Sequence, residues 1–220
     1  MNVGTGRLRK RLDKYAVPYK LVQGWDSPAI NPYRVNDMQG IVLHHTAGTN
    51  SLRYIVSGNP YAPVRACHFL VDRDGMVQVV SGSGAYHAGR GGPWTFTKTV
   101  TIPKDSGNSR LWGIEIESVG TKAAIDGSEG GMTVEQVVST ALLCVALLDA
   151  MRPGPGLFKV GRVIRHRDWA PLRKPDTQQD LGWWRDVIAL ARANRKSPQK
   201  AEQAVREYVR KHPKGQHPKG

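Results

Sequence analysis

The chain has 220 residues, 40% of them hydrophobic and 23% charged, which is the balance of one globular domain with extensions. No apolar run is long enough to cross a bilayer, so a membrane-spanning helix is excluded. A formal net charge of +14 favours a polyanionic partner, and charge alone does not separate nucleic acid from a phosphate-rich Gram-positive wall.

In chain order, residues 1–29 read as a basic N-terminal arm, with Arg7, Arg9, Lys10, Arg11 and Lys14 and few apolar positions. This start lacks the apolar stretch of a secretory signal. The expectation is therefore synthesis in a host cytoplasm and action outside it only after release by lysis or a separate pore. The first core strand is expected near Gly40, in "GIVLHHTAG", a β-branched run ending in small and polar residues. "ACHFLVDRDGMVQVV" reads as two strands joined by a hairpin turn at Asp74-Gly75. The long Gly-rich stretch from Gly82 to Gly107 is of a length that is usually functional or disordered. In "LWGIEIES", Trp112, Ile114 and Ile116 should face one way and Glu115 and Glu117 the other.

The clearest helix covers 133–151. Thr133 and Gln136 have capping-box spacing, and Val137, Val138, Ala141, Leu142, Val145 and Leu148 recur at helical intervals up to a stop at Pro153–Gly156. "GRVIRH" reads as another strand. A helix is expected over 180–194, with Trp184, Val187, Ile188 and Ala191 on one face. Residues 196–220 read as a basic tail with one helix from Ser197 to His212. Cys67 and Cys144 have no ligand-type spacing, and Cys144 is expected to be a buried thiol.

Three positions carry candidate chemistry. His44 ends the first strand, His166 ends "GRVIRH", and Asp176 follows across "RDWAPLRKP". Two imidazoles and a carboxylate are a ligand set for hydrolytic zinc, with one place left for water. Spacing alone leaves the alternative open, since a single histidine is more often structural. Of His44 and His45, which point to opposite faces of a strand, only one is easily a ligand.

The blocks "IVLHHTAG", "ACHFLVDRDGMVQVV", "AYHAGR", "LWGIEIES" and "RHRDWAPLRKPD" together resemble, in order, those of the type-2 N-acetylmuramoyl-L-alanine amidases. That family includes phage lysis enzymes, anhydro-muropeptide amidases and peptidoglycan recognition proteins. The resemblance runs from about Gly40 to Asp176. It implies an α/β fold, a central mixed β-sheet flanked by helices, in one catalytic domain over 30–195. It also implies zinc on His44, His166 and Asp176, with His45 behind them or in the core. Lys174, two positions before the third ligand, then stabilises the oxyanion. Phage members carry a tyrosine base where this chain has Cys67, so that role does not transfer. Glu115 is preferred as general base over Glu117. His87, Trp94 and His68 are placed on the substrate side, and Trp169 is a further aromatic that would suit a sugar face or the core.

The function implied is zinc-dependent cleavage of the N-acetylmuramic acid–L-alanine amide in peptidoglycan, by a monomer acting as a phage endolysin. The basic ends would hold anionic wall polymers. The alternatives are a wall-binding protein without catalysis and a basic nucleic-acid-binding protein. Against the latter, the chain has no Cys/His finger spacing and no aromatic RNA-binding strand motif, and no specific nucleic-acid partner is expected.

Overall fold

The computed structural model describes residues 3–27, 38–58, 64–98, 100–120, 125–151 and 160–218. The Pro153–Gly156 stop signal lies outside these residues. A six-stranded sheet contains β1 (Tyr19–Leu21), β2 (Gly40–His45), β3 (Phe69–Val71), β4 (Val77–Val79), β7 (Leu111–Ile116) and β8 (Val163–Arg165). Its order is β1-β4-β3-β7-β2-β8. The β3–β4 pair is antiparallel and every other pair is parallel, which makes the sheet mixed. A separate two-stranded ribbon, β5 (Trp94–Thr97) with β6 (Val100–Ile102), comes from the Gly-rich stretch.

The alternation of side chains along each strand divides the molecule into two layers. On one face, Ile41, Leu43, Trp112, Ile114, Ile116 and Val163 join the main apolar core. The principal helix covering that face is α4 (Val134–Ala150), closed by a capping box between Thr133 and Gln136 as the sequence predicts. Thirteen of its residues are buried, so it is apolar nearly all round, because other helices cover its far side. On the opposite face, Val42, Leu111 and Ile164 pack with Trp169 and Ala170 in a smaller cluster. The hairpin between β3 and β4 turns at Asp72–Gly75, where Gly75 takes φ +86 and its amide donates to Asp72 O at 2.9 Å.

The helix expected from Ser197 to His212 is present, and both basic ends are packed against the core rather than standing off it as arm and tail. Helix α1 (Val3–Lys14) buries Leu8 and Leu12 in the main core, together with Tyr15 just beyond it. These three sit at i, i+4 and i+7, one stripe of a helix whose other positions are largely charged. β1 then adds an edge strand beside β4. At the other end, α7 (Pro198–Lys211) buries Ala201, Val205 and Val209 in the same core, alongside α6 (Leu181–Ala193). The face predicted for α6 is buried as expected: Trp184, Val187, Ile188 and Ala191 are at most 1% exposed. Short helices α2 (Leu52–Ser57), α3 (Gly107–Arg110) and α5 (His166–Trp169) border the face away from α4. No helix among the described residues is long and apolar enough to cross a membrane.

Candidate metal centre

Three adjacent parallel strands deliver their carboxyl ends to one place, where open α/β sheets commonly bind ligands. His44 is the penultimate residue of β2 and is in register with Glu115, the penultimate residue of β7. Both alternate with apolar residues of the main core, so both point away from α4. His166 directly follows β8, whose last pair with β2 is Leu43–Arg165. Asp176 returns on the segment after α5, held by Arg167 N donating to its carbonyl at 2.6 Å.

The three candidate ligand atoms converge. His44 Nδ1 and His166 Nδ1 are 2.8 Å apart, and Asp176 Oδ2 lies 3.1 Å from His166 Nδ1 and 3.5 Å from His44 Nδ1. Ligands at zinc distances on a tetrahedron would be separated by about 3.3 Å. His166 Nε2 is 3.0 Å from the Ala88 carbonyl, which can only accept, so the imidazole proton sits there and Nδ1 is bare. The cluster thus brings acceptors together, an arrangement a cation relieves. Glu115 adds a second sign: its Oε1 is 4.0 Å from His44 Nδ1, and its buried Oε2 has no hydrogen-bond partner. These residues fit a divalent metal.

The electrostatics agree. Burial, then the neighbouring His166, lowers His44 to about 4, although Asp176 opposes the shift, so its ring is neutral and able to ligate at pH 7. Burial raises the Asp176 carboxyl; protons on the facing His166 and His44 atoms would hold it well below the usual range, and with those atoms bare a cation would take over that role. Burial, then Asp176, raises Glu115 to about 8 against the pull of Lys174. Burial, followed by the rings of His44, His68 and His166, pushes His87 well below its ordinary value.

A cavity of about 460 Å³ opens beside the cluster, lined among others by His45, Glu115, Lys174 and Asp176. Glu117 is elsewhere engaged, its Oε1 accepting from Ser51 N at 2.7 Å. Cys67 is fully buried, and burial followed by Glu115 keeps its thiol protonated. His68 does not reach the cavity. It is 0% exposed, and its Nδ1 accepts from Gly113 N at 2.9 Å, which corrects its placement on the substrate side. Trp94 is half-buried against Phe96 and the second apolar cluster and does not line the cavity. Trp169 is a core residue of that cluster. His87 borders the cavity, but both its ring nitrogens are engaged within the protein.

The sequence reading missed Tyr54 and Tyr86, both exposed and both on the cavity wall. Their only signal was position, Tyr86 directly before His87 and Tyr54 in a short stretch after "HHTAG". A larger groove of about 750 Å³ runs along α7 past Val134 and Arg206, away from the histidines. His44, His166 and Asp176 form the one metal-type cluster among the described residues.

A family profile described as N-acetylmuramoyl-L-alanine amidase matches residues 34–179, about two-thirds of the chain, and takes in the whole cluster. The chain belongs to this amidase family. Among solved structures, AmpDH3 from Pseudomonas aeruginosa is similar at 22% identity and a TM-score of 0.50, over 70% of this chain and 59% of that one. Its complex with an anhydromuramic pentapeptide matches at 22% and 0.48, over 66% and 56%. PlyL matches at 16% identity and 0.46, over 83% of this amidase-family chain and 98% of its own. At these identities the likeness to AmpDH3 is one of fold, and the match spans less than two-thirds of AmpDH3. No curated protein matches significantly.

Proposed function

We propose that the chain is a zinc amidase that hydrolyses the bond between N-acetylmuramic acid and L-alanine in peptidoglycan. The observation that carries this reading is the convergence of His44, His166 and Asp176 beside an unpartnered buried Glu115 oxygen. Zinc in a three-ligand set supplies a Lewis acid and makes water acidic enough to attack at neutral pH. Glu115 takes the proton of the attacking water and returns it to the departing amine of L-alanine; burial raises the carboxyl to about 8 in the metal-free site, and a bound cation would return it to the ionised form the base needs. The products are the lactyl carboxylate and the free amine of the stem peptide. Lys174, on the cavity wall, faces the negative charge that develops on the carbonyl oxygen. Tyr54 and Tyr86 offer rings to the sugar or peptide entering the cavity.

A lytic, endolysin-type role on a bacterial wall is part of the same proposal. The exposed cations Arg7, Arg9, Lys10 and Lys14 on α1 and Arg210 and Lys211 on α7 would hold anionic wall polymers, an attachment that salt should screen. Because α7 is packed, deleting residues 196–220 would expose the core. Charge reversal at Arg210 and Lys211 is the cleaner probe, and undiminished wall adsorption by that variant would remove this attachment.

The test of catalysis is metal analysis of the purified protein together with mass spectrometry of digested peptidoglycan. Stem peptides beginning with a free L-alanine amine and unbroken glycan are expected. His166→Ala should lose zinc and at least about 10³-fold in rate. A His166→Ala protein that digests walls at the wild-type rate after chelation would overturn the mechanism.

A further inference from the structure

We propose that His87 is a positioning residue that fixes the tautomer of His44 and so keeps His44 Nδ1 bare for the metal. The inference rests on the metal centre proposed above and adds a residue to it.

The Leu111 carbonyl can only accept, and His87 Nε2 lies 2.9 Å from it, so the His87 proton is on Nε2. A neutral ring has one proton, which leaves His87 Nδ1 as an acceptor. That atom is 3.0 Å from His44 Nε2, so His44 must donate there. The His44 proton is thereby held on the side away from the cluster. Were it on Nδ1 instead, it would point at His166 Nδ1, 2.8 Å away, and at the place a metal takes. In metal sites, such outer partners set ligand orientation and basicity.

The rest of the fold is shaped to seat this ring. The His87 imidazole lies against β7 at Gly113, where a Cβ would overlap it. The two rings meet edge to face, with centroids 5.1 Å apart at 89°. Behind the ring, Asn108 Oδ1 accepts from the amides of both His87 and Ala88, at 3.0 and 2.8 Å. Ala88 in turn offers the carbonyl that orients His166. Two consecutive residues therefore orient both imidazoles, one through its side chain and the other through its backbone.

The test uses the full chain and three forms of it: wild type, His87→Leu and His87→Asn. Asparagine keeps an acceptor oxygen near the position of Nδ1, and leucine does not. Zinc affinity is read by competition with a chromogenic chelator, and the tautomers by long-range ¹H–¹⁵N spectra of labelled wild-type protein. The expected results are a His87 proton on Nε2, a His44 proton on Nε2, and zinc binding weakened about 10- to 100-fold in His87→Leu, with most of that loss restored in His87→Asn. A His87 proton on Nδ1 in wild type would overturn the proposal, and this reading does not require any variant to fold. Zinc affinity unchanged in His87→Leu, or lost equally in both variants, would also overturn it, the latter because packing would then be the whole effect. Wild-type protein that binds no zinc would instead sink the metal centre itself.

Discussion

The two faces of the central sheet are made by the same strands and obey opposite rules. On the α4 side, Ile41, Leu43, Ile114 and Ile116 are satisfied by burial alone, among apolar neighbours. On the other side, one residue out of phase, His44 is buried and Glu115 largely so, but in a place where acceptors crowd together and one carboxyl oxygen, itself buried, has no partner. Burial stabilises the first face at roughly 1.5–3 kcal/mol per large side chain. On the second, burial desolvates groups that water would otherwise serve, and a ligand must supply what the protein withholds. Stability and chemistry are thus separated by a single step along a strand, and substitutions on the two sides should fail in different ways.

The sharpest contrast is Glu115→Gln against Leu143→Ala. Glu115→Gln should cost about 10²- to 10³-fold in turnover of peptidoglycan. It should raise rather than lower the stability of the metal-free protein at pH 7, because folding no longer has to protonate a carboxyl that is ionised in the unfolded chain. Leu143, fully buried on α4, should show the reverse: Leu143→Ala should cost about 2–5 kcal/mol in a denaturant melt, with turnover per folded molecule unchanged. If Glu115→Gln unfolds the protein, or Leu143→Ala slows the folded enzyme, the division between faces is wrong.

Acid should find the same boundary. In the metal-free protein burial lowers His44 to about 4 and His68 to about 3, and holds His87 well below its ordinary value. Folded protein then binds fewer protons than unfolded protein below pH 6.5, so this stability is complete above that pH and is lost as pH falls towards 4 and 3. Glu115 has the opposite sign, losing stability as pH rises from 4.5 through about 8, but below pH 6.5 three histidines act against it. Denaturant midpoints of chelated protein should therefore fall between pH 6.5 and 4. Zinc at a hundredfold excess over its dissociation constant should raise stability at pH 7 by about 2.7 kcal/mol. A flat acid profile would mean that the histidines are not held neutral. The smallest expected effect is on the capping box, where Thr133→Ala should cost about 1 kcal/mol of thermal stability and nothing in activity.

Much of the fold could be read in advance wherever the signal was local. The capping box before α4, the Asp-Gly turn between β3 and β4, and the apolar face of α6 each depend on residues close in sequence. The candidate ligand set is not local, since His44 and His166 lie 122 positions apart, and it was legible only through motifs that arrive in a fixed order. What escaped was set by distant partners. Leu8, Leu12 and Tyr15 had helical spacing, but the charges around them suggested an arm, and only α4 shows why the stripe is buried. β1 has its partner in β4, more than fifty residues away, and a three-residue strand has no periodicity of its own. His87 looked like a groove residue because nothing nearby announces the Leu111 carbonyl or the vacancy at Gly113. His68 and Trp94 were misplaced for the same reason: a loop or strand-end ring points wherever its remote neighbours leave room.

The burial of Leu8 and Val205 in one shared interior has a practical corollary for anyone re-engineering this protein. Its cationic helices cannot be exchanged as cassettes, since each also supplies part of the filling beneath the sheet. Their outward positions can still be rewritten one by one, so adhesion could be tuned by recolouring the surface while the scaffold is left alone.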